Sequence, residues 1–191
     1  MARFLFAGLV SLFLFTGCSG KSNPTAEEES ADPIYWTECG YEIGDHACDF
    51  NLLDQNGNYW RLYDHFGEFL VLDFSTEWCG YCHLAAEETQ EVQDQKREIA
   101  NFWYVTILLE DMSGNSPPSE QAVERWCSHY QITAPVLFGS REMLQGDSEG
   151  WPITGFPTFY ILDDELVIRE IVRGYSAESL DQAIDSVLNP S

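Results

Sequence analysis

Leu70-Val71-Leu72-Asp73-Phe74-Ser75-Thr76-Glu77-Trp78-Cys79-Gly80-Tyr81-Cys82 runs a short apolar stretch straight into two cysteines three residues apart, and a helix-like stretch follows. An apolar run of this length, bounded by polar residues, reads as a buried strand. The cysteines therefore fall on a strand-to-helix turn. The thiolate is the reactive form of cysteine, and a helix N-terminus offers unpaired N–H groups and partial positive charge that favour it. Cys79, the first and more exposed, is the expected nucleophile. Cys82, one turn on and more buried, is placed to attack a mixed disulfide at Cys79 and release the partner. Asp73 sits inside the apolar run, where burial would raise its pKa and suit it to acid/base work near neutral pH. Alternation alone leaves open whether it faces the interior or solvent.

Cys-x-x-Cys also serves zinc, haem and plain structural disulfides. A structural zinc site needs four ligands, and Cys39, Cys48, Cys127, His46, His65 and His129 form no second closely spaced pair. Cys79 to His83 reads C-G-Y-C-H, which fits the c-type haem attachment pattern. It follows a β-type run, however, and no second axial ligand stands out. Two cysteines this close at a helix start form a labile pair, which suits exchange better than stapling.

Downstream stands Gly155-Phe156-Pro157-Thr158, followed by the strand-like Phe159-Tyr160-Ile161-Leu162. With the dithiol, this resembles the thioredoxin superfamily. The resemblance implies an α/β thioredoxin-like fold, a central mixed sheet flanked by helices. It implies that Pro157 is a cis-proline lying against the dithiol, and that Asp73 relays a proton to and from Cys82. Trp78, Tyr81 and Phe156 would line the substrate groove. Upstream, Asn56-Gly57 between two alternating apolar runs reads as a β-hairpin. Together with Ile43 to Leu52, this resembles the N-terminal extension of the TlpA/ResA-type, AhpC/TSA-redoxin-like branch. That branch implies protein thiols and disulfides as substrates and a membrane electron donor.

Several functions remain open on the residues alone. Thr76-x-x-Cys79 mimics part of the peroxiredoxin signature, but Leu72 stands where its proline belongs, so thiol peroxidase is a minor alternative. Cys-Gly-Tyr-Cys-His resembles the active site of DsbC-type disulfide isomerases, so isomerase or oxidase duty stands beside reductase duty. A copper- or partner-binding module is the non-enzymatic rival, since soft Cu(I) favours paired thiolates and His83 or His129 could add a ligand. Glu77 and His83 read as surface residues that tune the site.

Residues 1–17 combine Arg3 with an apolar stretch too short to span a bilayer, the pattern of a signal peptide. Thr16-Gly17-Cys18 resembles a bacterial lipobox, which implies lipidation at Cys18; a simple secretory signal is the alternative. Residues 18–33 are small, polar and acidic, the composition of a disordered tether, leaving 34–191 as the folded domain. Export to an oxidising envelope allows a structural disulfide. Cys39 with Cys48 is the preferred pair, although pairings with Cys127 remain open. Acidic residues number 32 against 9 basic, a net charge of −23, which argues against nucleic acid as a partner. No phosphate-cradling glycine loop is present, so no nucleotide cofactor is expected. A lipid-anchored monomer without metal or cofactor, facing the periplasm or exterior of a bacterial envelope, is the expectation.

Overall fold

A computed structural model describes residues 34–144 and 150–189. The signal region, the tether and Cys18 lie outside the described residues. The chain forms a hairpin of β1 (Asn51–Leu53) and β2 (Tyr59–Arg61), then β3 (Phe69–Ser75), α1 (Gly80–Arg97), β4 (Phe102–Leu108), α2 (Glu120–Tyr130), β5 (Val136–Phe138), β6 (Thr158–Leu162), β7 (Ile168–Arg173) and α3 (Ala177–Leu188). Five strands make one mixed sheet in the order β5-β4-β3-β6-β7. β3 and β4 pair in parallel, as do β4 and β5, while β6 runs antiparallel to both β3 and β7. The thioredoxin-like layout expected from the sequence is the one found.

β3 is the central strand, buried from Leu70 to Ser75. Its side chains alternate between the two sheet faces. Leu70, Leu72 and Phe74 join the core that holds Trp60 and Leu62 of the hairpin region, whereas Val71 packs with Ala85 of α1 and Leu180 and Ile184 of α3. By the same alternation Asp73 faces the helical layer. α1 buries Cys82, Ala85, Ala86, Thr89, Gln93 and Lys96, a stripe at helical spacing. At the far end of α1, Lys96 Nζ reaches Asp185 at 2.7 Å and pairs with Asp181 as well, tying α1 to α3.

Side-chain amides complete the strand edges. β5 is short, so the first residues of β4 lack a neighbour on that side. The buried Gln93 fills the gap, donating to the Phe102 carbonyl at 3.1 Å and accepting from Tyr104 N at 2.5 Å. Gln55, in the hairpin turn, does the same for β5, donating to Ala134 O and accepting from Val136 N, each at 2.9 Å. A buried backbone polar group left unpaired would cost free energy comparable to a lost hydrogen bond.

The leading segment runs along the start of β7: Ala47 N donates to Leu166 O at 3.0 Å and Ile168 N to Asp45 O at 2.9 Å. A Cys39–Cys48 disulfide closes this segment over a separation of 9 residues. Loop-closure entropy for so short a ring gives about 2–3 kcal/mol. Replacing both cysteines by serine is expected to lower stability by that amount, read as a shift of the urea midpoint at unchanged slope; an unshifted midpoint would show that the bridge does not stabilise the fold.

Candidate active site

Every residue of the dithiol loop is placed by the junction of β3 and α1. Cys79 is the N-cap of α1, with backbone extended at φ −88° and ψ 113°. Its carbonyl accepts from Cys82 N at 3.0 Å, and its Sγ lies 3.3 Å from the same N–H. The first turn of the helix thus shares this N–H between the Cys79 carbonyl and its sulfur, at the end where the helix carries partial positive charge. On its other side Cys79 Sγ lies 3.4 Å from the carbonyl oxygen of Phe156. The Phe156–Pro157 peptide bond is cis. Pro157 O in turn accepts from Gly174 N at 2.8 Å, which fastens this loop to the end of β7.

Cys79 is 7% exposed and Cys82 fully buried. Burial pushes the Cys82 thiol far up from its ordinary range, and the charge of Asp73 and the hydrogen bond with Cys79 push it the same way. Burial likewise raises Asp73 to about 7, although the Ser75 and Tyr104 hydroxyls both favour its anion. Ser75 Oγ donates to one carboxylate oxygen at 2.6 Å, and Tyr104 Oη approaches the other at 3.4 Å. A thiol that resists ionisation therefore shares its electrostatics with a carboxyl that gains and loses a proton near neutral pH. General bases are most effective when their pKa lies near the working pH.

Two buried carboxylates hold the residues just before the dithiol. Trp78, 44% exposed, donates its indole N–H to Glu110 Oε2 at 2.8 Å, and Arg141 engages both oxygens of Glu110. Burial pushes the Glu110 carboxyl up; the bonds from Arg141 and Trp78 more than offset this and hold it below the usual range. Trp78 meets Phe156 edge-on at 5.8 Å and lies over Gly114, where a Cβ would come within 3.2 Å of the indole nitrogen. Gly114 also sits at φ +69°, a conformation that glycine adopts without steric cost.

Glu77 and His83 depart from the surface role expected of them. Glu77 is 6% exposed; its carboxylate accepts from Met112 N at 3.0 Å and Arg125 Nη2 at 3.2 Å. His83 Nε2 lies 2.7 Å from the Glu77 carbonyl, which can only accept, so that nitrogen carries the hydrogen. Nδ1 faces the Tyr130 hydroxyl. Both residues brace the loop from within because it crosses the inner layer between β3 and α1 rather than the surface.

The fold thus gathers Asp73, Trp78, Cys79, Cys82, Phe156 and Pro157 at one end of the central strand. Tyr81 is 62% exposed and borders a groove with Arg173, Gly174 and Tyr175. The Cys39–Cys48 bridge belongs to the leading segment. Cys127 is a half-buried free thiol on α2, raised by burial to about 11. Sequence reasoning missed Tyr104, Glu110, Arg125 and Arg141. They arrive from segments far along the chain, and none carries a local pattern that marks it.

The AhpC/TSA family model matches residues 43–171. Thioredoxin-like protein YneN of Bacillus subtilis is 27% identical over 149 residues, covering 78% of this chain and 82% of that protein. Thiol-disulfide oxidoreductase ResA of Geobacillus thermodenitrificans is 22% identical, covering 76% and 78%. A thioredoxin-family thiol:disulfide interchange protein of Chlorobium tepidum has the same fold, with a TM-score of 0.61 at 19% identity over 80% of this chain and 100% of that one. The chain belongs to the AhpC/TSA family, in the TlpA/ResA-type branch of the thioredoxin superfamily that comprises thiol-disulfide oxidoreductases.

Proposed function

We propose that this protein is an extracytoplasmic reductase of protein disulfides, with Cys79 as nucleophile, Cys82 as resolving cysteine and Asp73 as proton relay. The observation that carries the reading is a slightly exposed cysteine at a helix start, its sulfur set against the Phe156 carbonyl and backed by a fully buried thiol and acid. Cys79 thiolate attacks one sulfur of the substrate disulfide; the S–S bond breaks and the other sulfur leaves as thiolate. Asp73 carboxylate then takes the Cys82 proton. The new Cys82 thiolate attacks Cys79 Sγ, the mixed disulfide breaks, and the second substrate thiolate departs. Two electrons have passed to the substrate, and the protein holds a Cys79–Cys82 disulfide. A thiol donor across or at the membrane must return two electrons for the next cycle.

Placement outside the cytoplasm rests on the signal-like residues 1–17, the lipobox at Cys18 and the Cys39–Cys48 bridge, which an oxidising compartment sustains. Among the described residues no helix is long and apolar enough to cross a membrane. Lipid at Cys18 would then hold the domain to the membrane through the 18–33 tether. We read the domain as a monomer. The copper-carrier alternative finds little support at His83, whose two ring nitrogens are already engaged. Among the described residues no group of three or more Cys, His, Asp or Glu is arranged to hold a metal ion.

Equilibration with glutathione buffers followed by thiol trapping tests the direction of exchange. A potential near that of thioredoxin, about −270 mV, is expected; a value at or above about −180 mV would replace reductase by isomerase or oxidase duty.

A further inference from the structure

Among the described residues, the basic side chains are nearly all engaged. Arg61 pairs with Asp49, Lys96 with Asp185, Arg125 with Glu77, Arg141 with Glu110 and Arg169 with Asp163, while Arg97 lies over the Trp103 ring. Arg173 is exposed and has no such partner among the described residues. It borders a groove of about 280 Å³ with Tyr81, Gly174, Tyr175 and Ser176. The groove lining connects to the residues around the reacting sulfur: Tyr81 follows Cys79 by two residues, Gly174 N bonds Pro157 O, and the Phe156 carbonyl faces Cys79 Sγ. Gly174 carries no side chain and has open space where a Cβ would stand, so an extended chain can pass over it close to the backbone.

We propose that Arg173 and this groove form a subsite that reads a carboxylate side chain, Asp or Glu, lying within a few residues of the disulfide cysteine of a polypeptide substrate. The proposal rests on the dithiol-exchange reading above and names a substrate preference for it. The site is local rather than a general attractor. A net charge of −23 repels acidic polypeptides at long range, but interactions between exposed charges fade beyond about 8 Å at physiological salt. What remains at contact is the lone guanidinium, whose planar donors match a carboxylate. With about 3.3 Å per residue of extended chain, only positions near the cysteine reach it.

The test uses the pre-reduced protein and synthetic peptides, each carrying one cysteine as a mixed disulfide with 2-mercaptoethanol, in a single-turnover reaction. The peptides differ only in Glu, Gln or Lys two residues from the cysteine, on either side, with a further Glu peptide whose carboxylate is ten residues away. The near-Glu peptide is expected to oxidise the dithiol about two- to fivefold faster than the Gln peptide, the range of an exposed charge pair. The far-Glu peptide should gain nothing. In Arg173→Gln the near-Glu advantage should fall to parity, and in Arg173→Glu the order should invert in favour of Lys. Parity in the natural protein, or a preference that survives Arg173→Gln, overturns the subsite while leaving the dithiol reading intact. Failure of every peptide to oxidise the protein overturns the dithiol reading, and the subsite with it.

Discussion

With Cys82 replaced by serine, the protein should stall with substrate covalently held at Cys79. In the proposed cycle the first attack needs only Cys79, whereas release needs a second thiol beside it. Cys82 is one helical turn away and wholly buried, so it acts as a pre-positioned intramolecular nucleophile. Replacing such a group by a millimolar external thiol costs its effective concentration, and turnover should fall by about 10³-fold or more. Non-reducing electrophoresis should show one equivalent of substrate trapped as a mixed disulfide. Cys79→Ser should trap none, because the remaining thiol is covered and resists ionisation. Trapping by Cys79→Ser and not by Cys82→Ser would reverse the assigned roles.

Asp73→Asn should separate stability from turnover. The Asp73 carboxyl titrates near 7 in the folded chain against an ordinary 3.8, chiefly through burial. The folded state therefore holds the proton more tightly than the unfolded chain. The stabilisation associated with that proton is complete below about 3.8 and is lost as pH rises through about 7. Asparagine carries no charge at any pH. The variant should exceed the natural protein in stability by about 2–4 kcal/mol at pH 8, with the gain fading towards pH 4. Denaturant midpoints across that range would show it. Turnover should move the other way: the natural protein should speed up through pH 7 as the base forms, and the variant should lose that rise and run about 10²-fold slower at pH 8. A variant as fast as the parent at pH 8 would remove Asp73 from the mechanism.

The path from β3 through the dithiol to α1 was legible because it is contiguous: an apolar run, a turn and a helix start leave their marks in adjacent residues. The hairpin around Asn56-Gly57 was legible for the same reason. The direction of Asp73 was not, since β3 is buried on both faces and apolar Leu72 and Phe74 flank it; only its place on the face of Val71, where the Tyr104 hydroxyl reaches it, settles the side. Glu77 looked like a surface residue because charge usually means exposure. Its partners, Met112 and Arg125, come from the loop after β4 and from α2, which no local pattern announces. Trp78, expected at the groove, has one ring edge fixed by Glu110 while much of the ring stays open to solvent.

The amide side chains that finish the strands bear on the company this protein keeps. In the proposed cycle the substrates are disulfide-bearing polypeptides, and where these are partly unfolded they carry bare backbone that seeks any sheet margin to extend. Here Gln93 occupies the unpaired stretch of β4, Gln55 that of β5, and the disulfide-closed leading segment lies along the start of β7. A client arriving in an extended form finds those margins taken, and the Phe156 carbonyl beside Cys79 remains as the place where its backbone is met. On the proposed function, this cover keeps the protein from becoming a template on which its clients aggregate.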